Sequence, residues 1–457
     1  MPTTADSSRA VKMSERLLPF GREMATTPPA ADSILRTYVT LTLLSTFASS
    51  FIWGINTLFL LDAGLSVTSA FAANAFFNAG QVLFEVPTGV VADTVGRRAS
   101  YLLGSATLFV STLLYLLLWQ HHGPFWAWAA VSMLLGLGFS FYSGATEAWL
   151  VDGLQAAGYQ GTLDAAFAKG QIAGGAAMLT GTVAGGGIAQ ATSLGVPYVL
   201  RAIMLALTFG VAYASMHDVG FTARKGASFA AEMRSILAAS LDHGFRKPPV
   251  RWLMLAAPFG GGVAMYAFYA MQPYLLELYG RKDAYATAGL AAAIVAGTQI
   301  IGGYMVRYVG KACLRRTSFL ILGTVVSGAS LTAIGLAPGF GVALTLFAVW
   351  AIVYAAVTPV RQAFINGLIP SEQRATVLSS DNLLASLGSV AFQPALGRVA
   401  NASGYPTSYV VSAAIELLAL PFVLLARRER AASDPITPGT RGDRCSEPAS
   451  AALTSGS

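Results

Sequence analysis

Gly89-Val-Val-Ala-Asp93-Thr-Val-Gly96-Arg97-Arg98 is a short polar run between two long apolar ones, at 67–91 and 99–119. Each flanking run has the roughly 20 apolar residues that a helix needs to cross a bilayer. Gly89 and Gly96 permit a tight turn and close helix approach. The decapeptide reads as a connection, at one membrane surface, between two transmembrane helices. A weaker copy, Gly303-Tyr-Met-Val-Arg307-Tyr-Val-Gly310-Lys311, follows at an offset of 214 residues. The same offset relates Asp152-Gly153-Leu154 to Asn366-Gly367-Leu368. Two separate matches at one offset point to a chain built as two parallel repeats.

Composition agrees. The chain has 457 residues, 54% of them hydrophobic and 11% charged. Soluble proteins average about 25% charged, so a soluble chain of this size could not cover its surface. The expected class is an all-α membrane protein with twelve spans. They read as 38–61, 67–91, 99–119, 125–151, 167–190 and 196–216, then 251–276, 284–306, 317–337, 340–365, 377–398 and 406–426. The spans at 167–190 and 377–398 are rich in small and polar residues and carry the weaker apolar signal.

This divides the chain into a tail (1–35), a six-helix bundle (36–216), a linker (217–250), a second six-helix bundle (251–427) and a disordered tail (428–457). The first tail has no apolar run of signal-peptide length. In the linker, Phe229, Met233, Ile236 and Leu237 recur at helical spacing, consistent with a short interfacial helix.

Basic residues fix the expected orientation. Of the 29 Lys and Arg, all but five fall in the tails and the even-numbered connections. The exceptions are Arg201, Arg281, Lys282 and Arg398 on the opposite side, and Arg361 within a span. The positive-inside rule then puts both termini in the cytoplasm, and the expected location is the plasma (inner) membrane. The same rule explains the pI near 9.4 without invoking nucleic acid. Cys313 and Cys445 fit no metal-ligand pattern, and no cofactor is expected.

The decapeptide resembles the loop signature G-x-x-x-D-x-x-G-R-[RK] of the major facilitator superfamily. The likeness extends over about residues 36–427. Gly181-Thr182-Val183-Ala184-Gly185-Gly186 is similar to the G-P-x-x-G-G motif of that superfamily's drug–proton antiporter branch, with threonine in place of proline. The resemblance implies that Gly89, Asp93, Gly96, Arg97 and Arg98 form a gating loop that latches the halves in the outward-facing state. Asp93 would meet a helix N-terminus of the other half, and an arginine would meet an acid at the end of span four, where Asp152 stands. Spans four and ten would line the cavity.

Other candidates come from the residues themselves. Asn74, Asn78, Gln81 and Glu85 share one helical face. Glu85 lies about 12 Å inside its span's end, where ionisable groups are costly and face the bundle interior. It reads as a pathway residue that binds a proton or a cationic solute, or alternatively as a structural carboxyl hydrogen-bonded between helices. Glu147 and Arg361 occupy equivalent repeat positions with opposite charge, and are expected to pair across the cytoplasmic gate when it closes. The alternative is separate local partners, such as Lys169 for Glu147. Further cavity candidates, by position, are Trp53, Asn56, Tyr142, Tyr266, Tyr269, Gln272 and Tyr354. Gln171, Gln299 and Gln393 read as interhelical hydrogen-bonding residues. Glu416, in span twelve, calls for an interhelical partner or a shifted boundary.

The function these readings imply is secondary active transport of a small solute, with protons as the coupling partner and a monomeric chain. Export by antiport leads, and uptake by proton symport is the alternative. No clustered histidines, Ser-His pair or phosphate-binding loop of the G-x-x-x-x-G-K-[ST] type supports an enzyme or a primary pump. A receptor would call for a large soluble domain.

Overall fold

The computed structural model describes residues 31–223, 240–370 and 373–436, together with Arg234 and Ala238. The described residues are almost entirely helical, and the single β-bridge joins Arg315 to Pro435. The interfacial helix expected in the linker lies outside the described residues. So do the residues beyond 436.

Twelve crossings emerge once the helix breaks are read physically. Nine described helices are long and apolar enough to span a membrane, and the bent pair Ala31–Trp53 and Asn56–Asp62 makes a tenth. One of the nine, Thr376–Arg428, has 53 residues and would be about 80 Å long if straight. It reverses at Gly404, whose φ of 82° and ψ of 163° are non-helical, and so counts as spans eleven and twelve. The return is visible in its neighbours. Tyr405 lies against Tyr274, and Glu429 accepts a hydrogen bond from Trp252 near the start of span seven. The remaining crossing is span two, Val67–Thr94, which has 28 residues but is more polar than those nine helices. Its Asn-Asn-Gln-Glu face is the reason. Span five, expected to be weak, is long and apolar enough to cross a membrane.

The halves comprise spans one to six and seven to twelve. Both ends of the helical body lie on one side, called here the terminal side. Two first-half spans are broken within their length. Span one bends by 49° at Gly54-Ile55. Span four is interrupted between Phe125–Tyr142 and Ala145–Ala156, where Gly144 takes a left-handed φ of 70°.

The halves meet closely on the far side. A Cβ added to Gly186 of span five would lie 2.9 Å from the Gly289 Cα of span eight, and a Cβ at Gly289 would lie equally close to Gly186. Gln272 of span seven closes the break in span one. Its Oε1 accepts from the Thr57 N–H at 2.9 Å, and its Nε2 donates to the Trp53 carbonyl at 2.7 Å. Phe71 of span two packs into the second half's core beside Tyr266.

The carboxyl-terminal tail departs from expectation. Its described residues, up to 436, pack against the second half and cap a helix. The Asp434 carboxylate, 2% exposed, accepts from the Thr317 N–H at 2.8 Å and the Thr317 hydroxyl at 3.0 Å. These bonds satisfy donors left open at the start of span nine. Arg316 donates to the Ser433 and Pro435 carbonyls, and Ser433 donates to the Phe364 carbonyl of span ten at 2.7 Å.

Candidate functional site

On the terminal side a cavity of about 780 Å³ opens in the first half and reaches Ile300 of the second. Its wall carries Tyr38, Thr42 and Thr46 of span one, Tyr101 of span three, Tyr142 and Glu147 of span four, and Gln171 of span five. Tyr101 and Tyr142 stack at 4.5 Å, and the Tyr142 hydroxyl bonds Ser105 at 2.8 Å. Glu147 is exposed to this cavity, with no hydrogen bond or ion pair among the described residues. The break at Gly144 restarts the helix just before it, and Gln171 lines the same space rather than joining two helices.

Glu85 sits half-buried on span two and faces the other half. The Ser379 hydroxyl of span eleven donates to its Oε1 at 3.2 Å. No cation pairs with it among the described residues. The rest of its helical face turns inward as the spacing predicts, with Asn74 3% and Asn78 2% exposed and Gln81 half-buried.

Arg361 does not reach Glu147 here. Its guanidinium holds the Asp381 carboxylate of span eleven with two parallel bonds, one of 2.6 Å, and donates to the Leu253 carbonyl at 2.7 Å. Asp381 is one helix away in the same half and offers the bidentate geometry that a guanidinium prefers. Sequence reading did not single out Asp381. The available signal was a carboxylate just inside the expected start of span eleven. Arg361 and Asp381 line a pocket of about 160 Å³ inside the second half, together with Tyr354, Gln362 and Glu416. Glu416 is 8% exposed and does lie in span twelve, so its boundary was not misplaced.

The gating loop is compact. Gly96, with φ 132°, makes the turn into span three. Arg97 pairs with Asp93 one turn earlier, and its Nε lies 3.7 Å from the Asp152 carboxylate at the end of span four. Arg98 donates to the Tyr213 carbonyl at 2.8 Å, and its guanidinium lies over the Tyr213 ring. Asp218 accepts from the Arg98 N–H at 2.8 Å. This acid, just past span six, was overlooked in a linker read as basic. Gly89 faces open space.

Several cavity candidates are packing residues instead. Tyr266 is fully buried in the second half's core, where its hydroxyl bonds Ser408 at 2.6 Å. Gln272 is 1% exposed and serves the closure of span one. Gln393 donates within its own helix, to the Ser389 carbonyl, rather than between helices. Trp53, Asn56 and Tyr269 instead line a small pocket of about 40 Å³ with Asn74 and Arg201. Arg201 corrects the charge map. It lies inside span six at 1% exposure and is not a surface charge. Outside the spans, the Arg281 guanidinium in the loop after span seven holds the exposed Asp283 carboxyl below its usual range.

A sequence model of the Major Facilitator Superfamily matches residues 38–316 and 310–454. No curated protein matches the sequence significantly. Among solved structures, the nucleoside transporter NupG is 12% identical with a TM-score of 0.69, covering 86% of this chain and 98% of that one. A bacterial homolog of the human lysosomal transporter Spinster, inward-facing and unoccupied, is 15% identical with a TM-score of 0.68, covering 90% and 100%. A D-xylose–proton symporter is 17% identical with a TM-score of 0.63, covering 86% and 97%. At these identities the likeness is one of fold.

Proposed function

The chain belongs to the major facilitator superfamily, and from that premise we propose that it is a proton-coupled secondary transporter that exports a small solute by alternating access. The observation that carries the proton coupling is Glu85. Its carboxylate stands between the halves and, among the described residues, accepts one hydrogen bond, from Ser379 of the opposite half. A half-buried carboxylate with no cation beside it among the described residues is destabilised, and a proton removes that cost. Proton occupancy at Glu85 therefore changes the relative stability of two arrangements of the halves. That is the differential binding a coupled transporter needs.

The terminal side is the cytoplasmic side, by the basic-residue bias. The cavity of about 780 Å³ is then the solute's cytoplasmic entrance, and the glycine contact between spans five and eight is the closed outer gate. Arg97, Asp93 and Asp152 latch the inner side in the opposite state, and Glu147 stands in the entrance without an ion pair among the described residues. Export is favoured by the glycines Gly181, Gly185 and Gly186. They recur where the antiporter motif has them, and Gly186 makes the interhalf contact. The chain works as a monomer in the plasma membrane.

Vesicles loaded with a panel of candidate solutes and given an inward proton gradient test the direction. Solute loss driven by inward protons supports export, and solute accumulation driven by the same gradient supports uptake by symport.

A further inference from the structure

Arg201 is the most deeply buried charged side chain among the described residues. It is 1% exposed on span six, and one of its five N–H donors is used, by Nε, to bond the Thr112 hydroxyl at 3.1 Å. Its guanidinium lies over the Phe139 ring at 5.8 Å. No carboxylate pairs with it among the described residues, and its Nη2 is buried without a hydrogen-bond partner.

A second orphan donor faces the same pocket. The Tyr198 hydroxyl donates to Asn56 Oδ1 at 3.0 Å, and Asn56 Nδ2 donates to Asn74 Oδ1 at 3.0 Å. This chain of bonds runs in one direction and leaves Asn74 Nδ2 as its open end, buried and unpartnered. Arg201 and Asn74 both line the pocket of about 40 Å³ at the bend of span one. Two unsatisfied donors, one of them charged, converge on a space that holds about one small polar group. The complement of such a site is an anion with two acceptor oxygens.

We propose that Arg201 and Asn74 hold the carboxylate of the transported solute, a proposal that rests on the transport reading above. The solute is a monocarboxylate, because the pocket offers a single positive charge. Its body is apolar, because the other walls include Trp53, Phe77 and Phe139. The pocket fits the head group alone. Tyr269 comes from the second half, so movement of the halves opens room for the body beside it.

The test uses the purified full-length protein in a chloride-free detergent buffer near pH 7.5. Benzoate, benzamide and chloride are titrated separately while thermal unfolding and tryptophan fluorescence are followed. Benzoate is expected to raise the unfolding midpoint saturably, with no comparable effect from benzamide or chloride. Asn74→Ala should weaken benzoate binding about tenfold or more, the loss expected for one hydrogen bond to a charged group. Arg201→Gln should abolish it, and Arg201→Lys should retain a weakened response. If Arg201→Gln does not fold, the uncharged Asn74→Ala change carries the test. A wild type indifferent to benzoate, benzamide or chloride acting as well as benzoate, or unaltered binding in Asn74→Ala overturns the proposal. Binding is read without transport, so failure here leaves proton-coupled export to stand or fall on flux measurements.

Discussion

The Arg361 guanidinium and the Asp381 carboxylate form a two-pronged ion pair between spans ten and eleven, with Asp381 4% exposed at its side chain. Removing one partner of such a pair strands the other in a low-dielectric interior, at a cost of about 3–5 kcal/mol. Asp381→Ala should lower the thermal unfolding midpoint in detergent by several degrees. Arg361→Asp combined with Asp381→Arg should recover part of it. Arg361→Glu combined with Glu147→Arg should recover none, because Glu147 is not the structural partner here. Recovery in the second pair alone would favour the pairing across the gate.

The interhalf contact of Gly186 with Gly289 leaves no room for a side chain. Gly289→Val should destabilise the state closed on the far side and shift the population toward opening there. Thr57, fully buried at that closure, reports the shift. In a background without native cysteines, Thr57→Cys should react slowly with an impermeant maleimide and faster when Gly289→Val is added. Equal rates would mean that this contact is not the gate.

Arg97, Asp93 and Asp152 are partly exposed, with side chains 20%, 32% and 33% accessible. Exposed pairs contribute about 1 kcal/mol or less. Arg97→Ala should leave the unfolding midpoint nearly unchanged while slowing transport severalfold, since the loop acts on the exchange between states. A large fall in stability at normal flux would make it a structural pair.

Asp434 caps span nine from outside the bundle. Asp434→Ala should cost about 1 kcal/mol. Amide hydrogen exchange at the start of span nine should quicken, while exchange in spans one to six stays as in the wild type.

Much of this was legible in sequence, and the exceptions share a cause. The apolar runs located the twelve crossings, and the decapeptide and its copy located their repeat. Span two was recognisable by length and helical face, although its polar stripe defeats hydropathy. Arg201 was missed because a basic residue near a span end normally snorkels to the interface. What keeps it inside is Thr112 from span three and an aromatic wall, which are distant in sequence. Asp381 was missed for the same reason, since its meaning depends on Arg361 twenty residues earlier on another helix. The tail's helix cap depends on Asp434 meeting Thr317, a contact that low hydrophobicity alone argues against.

The most direct test of the central claim compares wild type with Glu85→Gln in proteoliposomes carrying an internal pH dye. An inward proton gradient is imposed, and solute efflux and internal acidification are followed together. Glutamine keeps the shape and the Ser379 contact but cannot titrate. The account predicts that the wild type couples the two fluxes, whereas Glu85→Gln still binds and exchanges solute but loses gradient-driven efflux and the accompanying acidification. Gradient-driven efflux that survives Glu85→Gln with its proton dependence intact would contradict it.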